Sequence, residues 1–306
     1  MVSPPFLKKG DLVSIVAPAG KVRNAALQDA IRILEDWGLR VSLGVHLYDN
    51  SHSYLASTDQ NRCQDLQSAI NDPNVAAVLC ARGGYGITRV LDQIGFDTFI
   101  KKPKWIVGFS DITALHLRLS NLGCQSIHGV MPMLFTRQNA EPSVDSLRRL
   151  LFGERIKYYS NPNSNNREGT SFGELVGGNL SLIVDSIGTK SDPDTKGKIL
   201  VIEEIEEPKY KLDRMMTHLK RAGKLSGLAG LIIGYMSNIS ETENPFGESV
   251  EEIILDKVKE FEYPVSFGFP TGHDFPNLAW RCGAEAELKI TSEGGSLTYL
   301  EKNPSA

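Results

Sequence analysis

Short, almost continuously apolar segments alternate with segments of helical period along the first half of the chain. The apolar segments fall at 11–17, 39–43, 75–81 and 105–107, and the helical ones at 24–37, 58–70, 87–94 and directly after 110. Strands that are apolar on both faces are typical of a parallel sheet covered by helices on both sides, because parallel strands need crossover connections. The alternation therefore predicts an α/β fold, in which ligands bind at the carboxyl ends of the strands.

The pattern changes after residue 160. Residues 161–170 are rich in Asn, Pro and Ser, which favour turns, and they predict a linker. Beyond them, strand-like runs and helical segments follow without the regular alternation of the first half. A chain of 306 residues is long enough for two domains. We therefore predict an α/β domain over 1–160, a linker over 161–170 and a smaller mixed domain over 171–306.

The composition excludes several classes of function. A formal charge of −4 without a run of basic residues argues against nucleic acid as the main partner. No segment is apolar over the roughly 20 residues needed to span a bilayer, and the first ten residues lack the apolar region of a signal peptide. The four cysteines form no CxxC pair, as is usual for reduced thiols. These features predict a cytoplasmic protein that needs no metal and contacts no membrane.

The segment after the strand at 105–107 is the first candidate for chemistry. The strand runs through Gly108 into Ser110, and a helix begins at once. In α/β proteins such an elbow lifts a hydroxyl out of the backbone, and the free N–H groups of the first helical turn point toward it. The match to the G-x-S-x-G motif is incomplete, because Ile112 occupies the position of the second glycine. Ser110 is therefore either a nucleophile or only the N-cap of the helix.

Four acidic residues follow a second apolar strand, predicted at 198–202; they are Glu203, Glu204, Glu206 and Glu207. A carboxylate at the carboxyl end of a buried strand is placed to orient a catalytic histidine, but a short acidic run is also typical of a solvated strand exit. Side-chain alternation puts Glu203 and Glu204 on opposite faces and does not choose between them. Glu203 follows the last apolar residue directly, so it would lie nearer the edge of the sheet where Ser110 is expected.

One of the six histidines has an unusual setting. His273 lies in the segment 267–277, where two glycines and two prolines restrict the loop on both sides of the imidazole. A histidine held by small, rigid neighbours in a loop is typical of a general base. The alternative is a turn histidine that is hydrogen-bonded to Asp274.

A glycine-rich loop, Arg82 to Gly86, follows the predicted strand at 75–81. Arg89 occupies the position of the third glycine in the dinucleotide fingerprint, and no Lys-Ser/Thr follows as in a P-loop, so the loop predicts no nucleotide cofactor. Its glycines would let the backbone approach a substrate closely, with N–H groups directed at an oxyanion. The alternative is a plain tight turn without a ligand. Together with a serine, a glutamate and a histidine in that order, the loop makes a hydrolase triad plausible.

These motifs resemble those of the LD-carboxypeptidase family of serine peptidases. The resemblance extends over nearly the whole chain, at 15–20, 81–86, 107–113, 128–129, 176–180, 202–204, Tyr210, Asp213, Arg214 and 269–274. It implies that Ser110 is the nucleophile, Glu203 the triad acid and His273 the base. It also implies that the backbone N–H groups of Gly84 and Asp111 form the oxyanion hole.

The resemblance further implies a flavodoxin-like parallel-sheet domain that carries the nucleophile, a smaller β-rich α+β domain, and a homodimer without a cofactor. The implied reaction is hydrolysis of the amide bond between an L-centre and a C-terminal D-amino acid in peptidoglycan tetrapeptides. Within the same family, the alternative is an amidase that cleaves a peptidyl-nucleotide antibiotic, as in microcin C self-immunity. A hypothesis from another class is a non-catalytic α/β module that binds a small ligand, in which Ser110 and His273 are structural.

Overall fold

The computed structural model describes residues 1–49 and 51–300, with residues 24–26 described by their backbone alone. The strands are β1 (Leu12–Val16), β2 (Arg40–Leu43), β3 (Val75–Cys80), β4 (Trp105–Gly108), β5 (Ser126–His128), β6 (Lys157–Ser160), β7 (Gly169–Asn179), β8 (Ile199–Ile205), β9 (Gly230–Ser237), β10 (Val265–Ser266), β11 (Trp280–Cys282), β12 (Glu285–Thr291) and β13 (Gly294–Tyr299). The helices are α1 (Asn24–Asp36), α2 (Asp59–Asn71), α3 (Asp97–Lys101), α4 (Thr113–Asn121), α5 (Glu141–Leu151), α6 (Leu180–Ser186), α7 (Lys209–Arg221) and α8 (Val250–Val258).

The first sheet has the order β11-β5-β4-β3-β1-β2, in which all pairs are parallel except β11 with β5. Alternate residues of each strand point to opposite faces of the sheet, and helices cover both faces. Ile15 packs in one core cluster with residues of α1 and α5, and its neighbour Val16 packs in another with residues of α2 and α4. The order 2-1-3-4-5 of the parallel strands is the flavodoxin-like one. The predicted α/β class with a flavodoxin-like sheet is confirmed.

The second sheet has the order β10-β9-β8-β7-β12-β13-β6 and is parallel on one side of β7 and antiparallel on the other. One face of β8, with Leu200 and Ile202, packs on helices α7 and α8. The other face, with Ile199 and Val201, belongs to the same core cluster as residues of the first sheet. The two sheets therefore share a core, and β8 lies at their contact.

A hydrogen bond joins the two sheets beside the turn that carries Ser110. At the end of β7 the backbone N–H of Asn179 donates to the Thr113 hydroxyl at the start of α4, at 3.0 Å. Asn179 lies opposite Glu203 in the β7–β8 ladder. The carboxyl ends of β4 and β8, which belong to different sheets, consequently meet at one place.

Two features of the chain differ from what its local pattern suggests. Residues 87–94 form two short 3₁₀ turns, Ile87–Arg89 and Leu91–Gln93, instead of the predicted helix. Three of the four residues at 87–90 are β-branched, and Gly95 follows the segment, which disfavours a longer helix. Strand β6 pairs with β13, and β11 pairs with β5, so strand pairing crosses the predicted division at residue 160. The domain limits remain a prediction. Among the described helices, none combines the length and apolarity needed to traverse a bilayer.

Candidate active site

Ser110 lies at a sharp turn between β4 and a single 3₁₀ turn that leads into α4. Its φ angle is +61°, a left-handed conformation that costs a non-glycine residue about 1–3 kcal/mol. At Gly108 a Cβ atom would lie 2.8–2.9 Å from side-chain atoms of Ile112, so glycine is needed for the turn to fold back over the strand. Ile112 therefore closes the elbow by packing on Gly108, although it departs from the glycine-flanked motif.

The Ser110 hydroxyl is directed at His273. The distance from Ser110 Oγ to His273 Nε2 is 3.0 Å, and that from His273 Nδ1 to Glu203 Oε2 is 2.7 Å. Because a carboxylate can only accept, Nδ1 carries the proton and Nε2 is free to accept from the serine hydroxyl. Asp274, the alternative partner of the histidine, instead accepts a hydrogen bond from the Ser237 hydroxyl at 2.7 Å.

The His273 loop fits closely against Glu203. Gly272 has φ +129°, and a Cβ atom there would lie 3.0 Å from Glu203 Oε2. A side chain at this position would push the loop away from the carboxylate. The Phe109 ring also meets the imidazole edge to face, at 5.0 Å between centroids. The imidazole thus contacts both an acid and an aromatic ring.

Burial and charge act in opposite directions on His273. Its side chain is 15% exposed and that of Glu203 is fully buried. Burial lowers the pKa of His273, but the hydrogen bond and the charge of Glu203 raise it, with smaller contributions from Glu204 and Asp274, and the net result is a raised pKa. The site therefore favours the imidazolium that forms when His273 takes up a proton.

Glu203 and Glu204 are both buried within β8, and they point to different partners. Glu204 accepts four hydrogen bonds, from the Asn179 side chain, the Ser181 N–H, the Ser181 hydroxyl and the Ile205 N–H, at 2.7–2.9 Å. These contacts bind it to the N-terminus of α6, where a carboxylate is favoured. Burial raises the pKa of Glu204. Its place is therefore structural, whereas Glu203 is the acid directed at the histidine.

The remaining acids of the run lie outside the site. Glu207 pairs with Lys211 at 3.2 Å, and Glu206 is exposed. In the part of the chain that the structure describes, Glu203 Oε1 is buried without a hydrogen-bond partner. The charge of Glu203 is consequently directed at His273 alone.

The loop after β3 passes close to the elbow. The Gly20 N–H donates to Gly83 O at 3.0 Å, and a Cβ atom on Gly83 would lie 3.0 Å from the Cβ atom of Ser110. Because the peptide is trans, the Gly84 N–H points to the side opposite Gly83 O, away from Gly20. The Gly84 and Asp111 N–H groups donate to no acceptor within residues 1–49 and 51–300.

Two buried side chains fix this loop, and the sequence motifs predict neither of these roles. The Asp111 carboxylate accepts from the Ile87 N–H at 2.8 Å, and burial raises its pKa to about 6. The Arg62 guanidinium donates to Gly86 O at 2.8 Å and also to Pro18 O. Arg62 lies four residues before Leu66 on the inner face of α2, and that spacing was the signal available for it.

Two further histidines lie beneath the elbow. His116 donates from Nε2 to Gly108 O at 2.8 Å, and its Nδ1 is 2.8 Å from the Ser126 hydroxyl. Burial lowers its pKa to about 4, so the ring is neutral at physiological pH. The His128 ring stacks on Trp280 at 5.0 Å. Within the described residues, no group of three or more His, Cys, Asp or Glu side chains could hold a metal ion.

Comparisons with known proteins cover both halves of the chain. Residues 13–129 match the N-terminal domain of LD-carboxypeptidase, and residues 172–288 match its C-terminal domain. The probable murein peptide carboxypeptidase of Bacillus subtilis is 39% identical over 297 residues, which are 95% of this chain and 92% of that protein. The solved structure of muramoyltetrapeptide carboxypeptidase from Oxalobacter formigenes has a TM-score of 0.85 and 28% identity, covering 95% of this chain and 99% of that one. The MccF-like protein from Bacillus anthracis has a TM-score of 0.87 and 25% identity, covering 99% and 100%.

Proposed function

Because the chain belongs to the LD-carboxypeptidase family, we propose that it removes the C-terminal D-amino acid from peptidoglycan tetrapeptides, with Ser110, His273 and Glu203 as its catalytic triad. The observation that carries the proposal is the continuous pair of hydrogen bonds from Ser110 through His273 to Glu203, at 3.0 and 2.7 Å. The strained backbone of Ser110 supports it, because strain of this kind is concentrated at functional sites.

The first step forms an acyl-enzyme. Ser110 Oγ attacks the carbonyl carbon of the last peptide bond while its proton passes to His273 Nε2. The Glu203 carboxylate stabilises the resulting imidazolium and holds the ring in the required tautomer. The Gly84 and Asp111 N–H groups bind the oxyanion, which they can do without reorganisation because Asp111 and Arg62 fix the loop.

The second half of the cycle returns the enzyme to its starting state. The imidazolium gives its proton to the nitrogen of the leaving D-amino acid as the C–N bond breaks. A water molecule then attacks the ester carbonyl and loses a proton to His273, and the regenerated Ser110 hydroxyl recovers that proton from the imidazolium. The products are a tripeptide and a free D-amino acid, and one water molecule is consumed.

The test is the Ser110→Ala variant on a muropeptide tetrapeptide, with the tripeptide and D-alanine measured by mass spectrometry. Loss of a triad nucleophile costs on the order of 10⁶ in kcat. Ser68→Ala, on the exposed face of α2, is the matched control and should keep full activity. Both variants should unfold at the wild-type temperature, so that a loss of activity in Ser110→Ala does not reflect a loss of fold. Turnover by Ser110→Ala within tenfold of wild type would contradict the serine mechanism.

The likeness to the MccF-like protein favours one second candidate, an amidase that acts on a peptidyl nucleotide. The same triad would serve both reactions, so only the substrate distinguishes them. We expect kcat/KM to be higher for the tetrapeptide, because the B. subtilis relative with 39% identity is named for murein peptides. Measurement of both substrates with one enzyme preparation decides between the two.

The homodimer and the cytoplasmic location remain predictions. Light scattering coupled to size exclusion tests the first, with a mass of twice 33.7 kDa expected. Fractionation of cells that express the untagged chain tests the second. Neither result bears on the chemistry of the triad.

A further inference from the structure

A cavity of about 330 Å³ lies beside the Gly83–Gly84 turn. It is lined by Gly20, Lys21, Val22, Arg23, Ser53, Tyr54, Arg82 and Gly84. Three of these residues are cationic and none is acidic. In the described part of the chain none of the three cations forms an ion pair, although the whole chain has a formal charge of −4. Such a concentration of unpaired positive charge in a concave surface attracts an anion.

Arg82 is the best placed of the three cations. Its side chain lies over Gly20, since a Cβ atom on Gly20 would be 3.6 Å from Arg82 Cδ and Nε. Its Nη1 donates to Lys21 O at 3.0 Å, which fixes the guanidinium at the cavity wall. A guanidinium has five N–H donors, so several remain for a planar carboxylate. Lys21 donates to His52 O at 3.3 Å and also keeps donors free.

The cavity and the proposed oxyanion hole share one residue, Gly84. Gly84 lines the cavity and also supplies one of the two proposed oxyanion donors, and Arg82 is two residues before it. In a peptide that is cut at its last bond, the terminal carboxylate is one residue beyond the scissile carbonyl. One residue spans about 3.3–3.6 Å when extended. The anion nearest to the oxyanion hole in such a substrate is therefore its C-terminal carboxylate.

We propose that Arg82, assisted by Lys21, binds the C-terminal carboxylate of the substrate and so restricts cleavage to the last residue. This inference rests on the proposed carboxypeptidase function and adds to it the group that recognises the chain end. Arg137 is a further cation near the site, and its guanidinium lies over the ring of Phe275, in the His273 loop, at 5.4 Å. It is the natural competitor for the same role.

The test compares a tetrapeptide that ends in a free carboxylate with the same tetrapeptide as its C-terminal amide. Wild-type enzyme should prefer the acid. In Arg82→Gln, kcat/KM for the acid should fall about 10- to 100-fold, mainly through KM, because charge-assisted hydrogen bonds of this kind are lost. The value for the amide should change little, so the preference collapses. Lys21→Gln should change it in the same direction by less, and Arg82→Lys should retain part of it.

Arg137→Gln is the matched control, and it should keep the wild-type preference for the acid. Equal losses on both substrates in Arg82→Gln would overturn the inference, because Arg82 would then act only by holding the loop. An unchanged preference in Arg82→Gln, or a collapse in Arg137→Gln, would also overturn it. Failure of the proposed function gives a different result, since wild-type enzyme would then leave the tetrapeptide intact.

Discussion

Replacement of Glu203 by glutamine tests the triad most directly, because the amide keeps the size of the side chain and removes its charge. In the wild type the carboxylate is fully buried and 2.7 Å from His273 Nδ1. Two unit charges about 4 Å apart interact by about 4 kcal/mol at an effective dielectric constant of 20, which is about 10³ in rate. The amide can also donate to Nδ1 and stabilise the wrong tautomer, so we expect a total loss of about 10⁴ in kcat.

The pH profile separates catalysis from structure. Glu203 raises the pKa of His273 against the effect of burial, and the base must be neutral to accept the serine proton. In wild type, kcat/KM should therefore fall at a pH above the ordinary histidine value as the pH is lowered. Without the Glu203 charge, burial is opposed only by the smaller contributions of Glu204 and Asp274, so the acid limb of the residual activity should move to lower pH. A merely structural acid would not shift this limb.

Glu204→Gln is the matched control on the next residue of the same strand. It removes the charge that binds the N-terminus of α6, so we expect a lower melting temperature with a much smaller change in kcat/KM. Glu206→Gln and Glu207→Gln should have little effect on either quantity. All four variants should be measured on one tetrapeptide, with circular dichroism to verify the fold. An inactive Glu204→Gln beside an active Glu203→Gln would refute the assignment.

Three other results are expected. Gly272→Ala should lose most activity while remaining folded, because its Cβ would lie 3.0 Å from Glu203 Oε2 at a φ of +129°; wild-type kcat would contradict the close fit. EDTA should leave the rate unchanged, and a loss that zinc restores would indicate a metallopeptidase instead. Burial raises the folded pKa of Asp111 to about 6, so its ionisation costs stability as the pH rises through that value. The melting temperature of Asp111→Asn relative to wild type should therefore increase from pH 4.5 to 7.5, and an equal difference at both values would refute this.

Features set by neighbouring residues could be predicted from the sequence. The apolar strands and the turn at Gly108 and Ser110 are local, so the parallel sheet and the elbow follow from the pattern. The choice between Glu203 and Glu204 is different, because both faces of β8 are buried and alternation is uninformative. The structure distinguishes the two acids: Glu203 continues the face shared with the first sheet, and Glu204 faces α6.

Other features depend on contacts between distant parts of the chain. The pairing of β11 with β5 joins residues about 150 positions apart, and no local period encodes it. The local pattern does not distinguish Arg62 from the other polar residues of its helix. Arg62 is nevertheless buried, and it donates to backbone oxygens of two other loops. The segment 87–94 was wrongly predicted as a helix, since the hydrogen bond from the Ile87 N–H to the Asp111 carboxylate, made across the fold, helps to set its conformation.

The loop that carries His273 is attached at both ends to different sheets, to the second through β10 and to the first through β11. His273, the proposed base, is thus connected to both sheets, while the proposed nucleophile Ser110 lies beside the first sheet and the proposed acid Glu203 in the second. A small slip of one sheet against the other would lengthen both hydrogen bonds of the imidazole before either sheet lost its own core. Enzyme activity should accordingly decline at lower denaturant concentrations than the circular dichroism signal of the secondary structure does. Turnover would then report how well the two sheets are aligned. Division of the chain at residue 160 would separate β11 from β5 and β6 from β13, so each half would have an unpaired sheet edge. We expect separately produced halves to recover activity only when they reassociate.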